Sequence, residues 1–216
     1  MRKFQLFLKR TGDVLISGMM ILFLIAIPVL IIIPIAIRIE SKGSPVFTQA
    51  RTGKNGKTFK VYKFRTMLTP EEGVHPDGTA MTPKERITKV GRFLRKTSLD
   101  ELMQLFNVFN GTMSIVGPRP MLPNRAATLD EQQKRRHEMR PGVTGWAQVH
   151  GRNDLLWEEK IPYDIEYIDN YSIWLDIKIL FKTVAVVLKT EGIDFQDTDA
   201  FAKQEKQGTE EKTTVK

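Results

Sequence analysis

One stretch decides how the chain is built: Asp13-Val-Leu-Ile-Ser-Gly-Met-Met-Ile-Leu-Phe-Leu-Ile-Ala-Ile-Pro28-Val-Leu-Ile-Ile-Ile-Pro34-Ile-Ala-Ile-Arg38. Its 24 uncharged residues, Val14 to Ile37, would reach about 36 Å as one helix, enough for a hydrocarbon core of about 30 Å. The run is too long for a cleaved signal peptide, and no small-x-small cleavage site follows it. Two features oppose a simple span. Pro28 and Pro34 each remove a helical donor and crowd the preceding turn. Both flanks are basic: Arg2, Lys3, Lys9 and Arg10 lie before, and Arg38, Lys42, Arg51, Lys54, Lys57, Lys60, Lys63 and Arg65 after. The positive-inside rule then places both ends on the cytoplasmic side, which one crossing cannot satisfy. A helix broken near Pro28 that dips into one leaflet satisfies both flanks. Prolines are tolerated in spanning helices, so the residues alone leave the two readings open.

Setting aside that run and a polar tail from Phe201 to Lys216 leaves roughly 176 of 216 residues, enough for a hydrophobic core. Lys and Arg number 33 against 25 Asp and Glu, a net charge of +8 that points to an anionic partner surface. The absence of cysteine excludes disulfides, thiolate zinc and a cysteine nucleophile. Three scattered histidines, His75, His137 and His150, argue against a histidine-built metal site. Chemistry is left to carboxylates, hydroxyls and cations.

Beyond the apolar run, Val46 to Phe64 reads as a hairpin turning at Asn55-Gly56, which supplies the positive φ angles of a tight turn. Thr69-Pro70-Glu71-Glu72 and Thr82-Pro83-Lys84-Glu85 read as two helix starts, with a mobile loop, 73–79, between them. Ser98-Leu99-Asp100-Glu101 opens a helix running to about Phe109. Its polar side carries Asp100, Gln104 and Asn107. Arg125 to Met139 reads as a charged helix stopped by Arg140-Pro141-Gly142. Tyr171 to Leu188 reads as a long helix whose apolar arc of Trp174, Ile177, Leu180, Phe181 and Val184 suits a core or a membrane interface. The tail after Phe201 reads as disordered.

Four constellations could carry chemistry. Ser98 with Glu101 forms a capping box, which explains the acidic pair structurally. Alternatively one carboxylate attacks an electrophile while the other holds a divalent cation, beside a helix N-terminus that attracts phosphate. In Gly117-Pro118-Arg119-Pro120, two prolines limit the wandering of an arginine suited to bidentate phosphate contact; an exposed turn is the plainer reading. The cations Arg51, Lys54, Lys57, Lys60, Lys63, Arg65, Arg92, Arg95 and Lys96 serve either anionic headgroups or a phosphate substrate. Pro141 to Asn153 is glycine-rich, and Trp146, Gln148, Arg152 and Asn153 could meet a base or sugar. An ordinary surface loop is the plainer reading.

Taken in order, these segments resemble the bacterial sugar transferase family, the monotopic polyprenyl-phosphate phosphoglycosyl transferases. The residues that carry the resemblance are Lys9-Arg10 with Asp13, Gly43-Ser-Pro-Val-Phe-Thr-Gln-Ala-Arg-Thr-Gly53 and Phe59-Lys-Val-Tyr-Lys-Phe-Arg-Thr-Met67. They continue with Gly91-Arg-Phe-Leu-Arg-Lys-Thr-Ser-Leu-Asp-Glu-Leu102, Gln104-Leu-Phe-Asn-Val108 and Met113-Ser-Ile-Val-Gly-Pro-Arg-Pro120. Arg140-Pro-Gly-Val-Thr-Gly-Trp-Ala-Gln-Val149, Gly151-Arg-Asn153 and Asp176-Ile-Lys-Ile-Leu180 complete the set. The match is collinear over roughly residues 3–195, which makes it specific where any single motif is weak.

The resemblance implies an α+β, mainly helical fold with a re-entrant membrane helix broken at Pro28, a small β-hairpin and amphipathic interfacial helices. The expected division is a membrane segment at 1–40, a catalytic domain at 41–200 and the tail at 201–216. Asp100 is implied as nucleophile toward the sugar-bearing phosphate of a nucleotide diphosphate sugar, typically a UDP-sugar. Glu101 is implied as ligand to Mg²⁺. Arg95, Arg119 and Lys63, with Gly117, Pro118 and Pro120, are implied at the phosphates. The expected partners are that nucleotide sugar, polyprenyl phosphate and membrane lipids, at the cytoplasmic face of a bacterial inner membrane. Nucleic-acid binding lacks a recognisable module, and a homodimer is compatible with the sequence. Met103, Thr112 and Ile27 stand where the family usually has Pro, Asp and Ser. A function of a different class, a non-catalytic scaffold binding anionic lipid through its basic face, predicts no release of nucleoside monophosphate.

Overall fold

Pro28 has no N–H to donate, and the helix breaks there. In this computed structural model, which describes residues 2–151 and 156–188, α1 (Arg2–Ala26) and α2 (Val29–Glu40) meet at a bend of 63°. Ile27 N–H still reaches Phe23 O at 2.9 Å, while Ile31 and Ile32 restart the ladder on Pro28 O. Pro34 sits inside α2 without ending it. Among the described residues no single helix is long and apolar enough to cross a membrane.

Both ends of the bent pair are fastened to the same body. The Asp13 carboxylate accepts from Ser114 Oγ at 2.8 Å and from Ile115 N–H at 3.0 Å. Arg10 donates to the carbonyls of Val108 and Phe109, satisfying acceptors that a helix end leaves open. Lys9 pairs with Asp176 at 2.6 Å. These two basic residues therefore hold protein groups rather than headgroups. At the other end, Glu40 accepts from Lys89 N–H at 2.5 Å and Val90 N–H at 2.8 Å. Ile33 and Ile37 pack with Phe64 and Leu94.

The rest of the described chain is mainly helical, with two small sheets. β1 (Val46–Thr52) and β2 (Thr58–Phe64) pair antiparallel, from Val46↔Phe64 to Thr52↔Thr58. The turn is wider than a two-residue hairpin: it closes through Gly53 N–H to Lys57 O, with Asn55 and Gly56 at φ 55° and 73°. β3 (Ser114–Val116) and β4 (Gly142–Thr144) form a parallel pair. The segment read as a surface loop is thus a strand followed by α7 (Trp146–Gly151), and Trp146 lies in the core with Tyr167, Ile168 and Ile179. Gln148 donates to Val143 O. Arg152, Asn153 and the tail after Phe201 lie outside the described residues.

Three helix readings change. At Thr69 and Thr82 the reciprocal capping contacts form with Glu72 and Glu85, yet each makes one turn only. Too few residues follow either cap to repay helix nucleation. The loop between them closes as a turn, with His75 N–H on Thr79 O and Gly78 at φ 84°. The 125–139 segment is broken into α5 (Pro123–Ala127), α6 (Glu131–Lys134) and a 3₁₀ turn (Arg135–Glu138). It has no continuous apolar face to hold one helix together. The Ser98 helix begins instead as a 3₁₀ turn (Leu99–Met103) that runs into α4 (Gln104–Phe109), and it follows α3 (Lys89–Thr97) directly. α8 (Trp157–Asp169) and α9 (Ile173–Leu188) close the described fold. α9 buries Asp176 and Ile179 but leaves Trp174, Phe181 and Val184 exposed.

Candidate active site

The corner at Ser98 positions the acidic pair. Ser98 is left-handed, with φ 57°, and makes no side-chain cap. Glu101 does not reach back to it. Its Oε1 instead accepts from Lys63 Nζ at 2.7 Å and Arg119 Nη2 at 3.1 Å. The capping box is therefore not formed; the carboxylate is claimed by two cations from distant segments. Lys63 also lies 3.9 Å from Asp100 Oδ2. The Asp100 and Glu101 side chains are 13% and 18% exposed, so both are sheltered and both can still be reached.

Three supports converge on this pair. Lys63 stands near the end of β2. Arg95, in the last turn of α3, donates through Nε to Thr66 Oγ1 at 2.8 Å and is near enough to bias Asp100 electrostatically. α3 comes this close because Gly91 lies against Thr66: a Cβ at 91 would sit 2.0 Å from Thr66 O. Arg119 lies on the Gly117–Pro120 loop, whose backbone is pinned at each step. Gly117 N–H donates to Thr144 O, Pro118 O accepts from Gly142 N–H, and Arg119 O accepts from Arg136 Nη2 at 2.9 Å. Arg51 donates to Pro120 O. Here too glycine is required, since a Cβ on Gly142 would meet Gly117 N at 2.1 Å.

The two carboxylates occupy different electrostatic states. Burial pushes Asp100 above the ordinary aspartate range, with Lys63 opposing, Glu101 adding to the rise, and Arg95 and Arg119 opposing. Glu101 is desolvated as well, but Lys63 and Arg119 outweigh that and hold it down at about 2. One group is thus a firmly ionised acceptor. The other is a poorly solvated carboxylate whose negative charge is under-compensated, as a nucleophile requires.

The structure brings together Asp100, Glu101, Lys63, Arg95 and Arg119. Gly117, Pro118 and Pro120 shape the loop beneath Arg119, while Pro28 lies at the membrane-segment bend. The basic set around the hairpin divides: Arg51 and Arg65 bind backbone carbonyls, and Lys54, Lys57, Lys60, Arg92 and Lys96 are exposed. Sequence reasoning missed the buried Arg136–Asp164 pair, 2.5 Å apart, that carries the Arg119 backbone. Arg136 lies inside what reads as a charged helix, Asp164 comes 28 residues later in α8, and no local signal marks the pair.

The family model for bacterial sugar transferases matches residues 4–190. An uncharacterized sugar transferase, EpsL, of Bacillus subtilis is 46% identical over 187 residues, covering 86% of this chain and 90% of that protein. The UDP-glucose:undecaprenyl-phosphate glucose-1-phosphate transferase of Escherichia coli is 45% identical over 82% of this chain, and the chain spans 39% of its length. The undecaprenyl-phosphate galactose phosphotransferase of Salmonella typhimurium is 40% identical over 86% of this chain and 41% of its own. Coverage this extensive includes the apolar segment, the dyad and the arginine loop together, and the chain belongs to the bacterial sugar transferase family.

Proposed function

We propose that the protein transfers a sugar 1-phosphate from a nucleotide diphosphate sugar of the UDP class to polyprenyl phosphate, through a phosphosugar carried on Asp100. The observation that carries this reading is the unequal carboxylate pair ringed by Lys63, Arg95 and Arg119. The names of the Escherichia coli and Salmonella relatives, each with undecaprenyl phosphate in it, support the reading.

In the first half-reaction an Asp100 oxygen attacks the sugar-bearing phosphorus, and the P–O bond to the nucleoside monophosphate breaks. Lys63, Arg95 and Arg119 offset charge on the phosphate oxygens as it redistributes. In the second, an oxygen of polyprenyl phosphate attacks the same phosphorus. The bond to Asp100 breaks, restoring its carboxylate and leaving a polyprenyl diphosphate sugar. Sequential use of one pocket suits two substrates that present the same group.

Mg²⁺ fits the donor set. Glu101 stays ionised, and both its cation contacts fall on Oε1, which leaves Oε2 for another ligand. Among the described residues no three or more His, Cys, Asp or Glu side chains cluster for a metal. That accords with an ion held by one or two carboxylates plus substrate phosphates and water. When bound, it would offset charge on the diphosphate and the leaving group.

The bent helix pair is read as re-entrant. The apolar halves, 14–26 and 29–37, would reach only about 20 and 14 Å, and both ends are tied to one body. The exposed stripe on α9 is read as an interfacial face. On this reading the dyad lies at the cytoplasmic surface of the inner membrane, where the lipid phosphate is met.

The test is a screen of the purified full chain with Mg²⁺, polyprenyl phosphate and a panel of sugar nucleotides, scored by nucleoside monophosphate release. One or more donors should release it, and Asp100→Asn should abolish release while the protein still folds and binds membrane. Turnover by that variant would remove the nucleophile. Silence of the wild type on every donor would favour a lipid-binding scaffold.

A further inference from the structure

Lys63 can reach Glu101 only if β2 is held at a fixed height beside the turn that carries the acidic pair. Among the described residues β2 pairs with β1 on one edge and with no other strand. Its second edge is met by one side chain. Asn107, 1% exposed, accepts from Tyr62 N–H on Oδ1 at 3.0 Å and donates through Nδ2 to Lys60 O at 2.8 Å. These are the two bonds that a residue of an adjoining parallel strand would make to either side of Val61. The second Nδ2 proton goes to Thr112 Oγ1 at 3.1 Å. The amide can sit only one way round, because a flip would set donor against donor and carbonyl against carbonyl.

Asn107 belongs to α4, the direct continuation of the 3₁₀ turn bearing Asp100 and Glu101. Tyr62 is the neighbour of Lys63. The amide is therefore a short strut between the strand of the cation and the helix of the carboxylates. We propose that Asn107 is a positioning residue for the transfer, fixing β2 so that Lys63 is held against the acidic pair. A slip of about 1 Å is enough to impair a site of this kind. Its consequence for catalysis rests on the reading of function above; the strut itself does not.

The test is a double-substitution cycle on the full chain in lipid nanodiscs, with Asn107→Ala and Lys63→Ala, reading thermal midpoint and backbone amide exchange. Lys63→Ala should lower the midpoint in the wild-type background and have little further effect once Asn107 is alanine. The Tyr62 amide should lose protection in Asn107→Ala by tenfold or more. An Asn107 that merely stabilises the fold would give equal Lys63 effects in both backgrounds, and that result overturns the proposal. If Asn107→Ala does not fold, Thr112→Val removes one amide partner and should roughly halve the Lys63 effect; an undiminished effect overturns the proposal equally. In the active protein, rates of nucleoside monophosphate release should show the same non-additivity. A wild type silent on all donors would sink the reading of function and leave the midpoint cycle to judge the strut.

Discussion

At the scale of single residues, the burial of Asp100, the nucleophile of the proposed reaction, comes at a cost to the fold. Burial raises its carboxyl above the usual range, so between the ordinary aspartate value and the folded one the native state binds more protons than the unfolded chain. Stability then falls as pH rises through that window. At neutral pH the ionised group is a standing penalty that Asn lacks. Asp100→Asn should therefore melt higher than wild type at pH 7, with the gap narrowing as pH falls; a lower midpoint at pH 7 would contradict the assigned burial. Glu101 behaves oppositely. Its carboxyl lies at about 2, so its contribution is full above the ordinary glutamate value and is lost as pH falls from there toward 2. Glu101→Gln should lower the melting midpoint at pH 7 and have little effect near pH 2, as followed by circular dichroism. The acidic pair was visible in the sequence, and the family resemblance implied a role for each member, but the division of charge between them was not legible there. That division depends on Lys63 and Arg119, which arrive from segments far away in the chain.

At the scale of elements, what could be read in advance was whatever local chemistry decides. Asn55-Gly56 reverses the chain, Pro28 breaks the long helix, and the α9 stripe has its period. What escaped reading needed partners. β3 and β4 are three residues each and pair only because Gly117 and Gly142 let their backbones meet. The capping contacts at Thr69 and Thr82 are genuine but lead into no helix. The break at Pro28 carries a prediction. Removing an interior proline relieves about 3 kcal/mol. Straightening must release Asp13 or Glu40, each accepting two hydrogen bonds of about 1.5–3 kcal/mol apiece as a charged acceptor. Either lock matches or exceeds the gain. Pro28→Ala should therefore keep its N-terminus on the same side as the acidic pair, whereas Pro28→Ala with Asp13→Ala should move it. An impermeant maleimide against a cysteine placed at the N-terminus reads the difference. On α9, Trp174→Asp with Phe181→Asp should weaken binding to anionic vesicles in flotation without lowering the thermal midpoint, since neither side chain is buried.

At the scale of the whole molecule, the apolar segment and the turn that carries the acidic pair share one core. Deleting 1–40 would uncover Phe64 and Leu94 and strip Ser114, Ile115 and Asp176 of their partners. The truncated chain should aggregate rather than yield a soluble enzyme, as size-exclusion chromatography in detergent would show. The lock at Asp13 also bears on how the molecule is made. Its partner Ser114 lies 101 residues downstream, and at roughly 5–20 residues per second of synthesis that is about 5–20 s. Through that interval the bent apolar pair lacks the Ser114 and Ile115 groups that will fasten it. On the re-entrant reading proposed above, its basic flanks would then steer its entry into the bilayer. On that reading, Lys9 and Arg10 would thus serve twice in time, first among the positive charges that set orientation at the bilayer and later, with Asp13, as ties to a domain that did not yet exist.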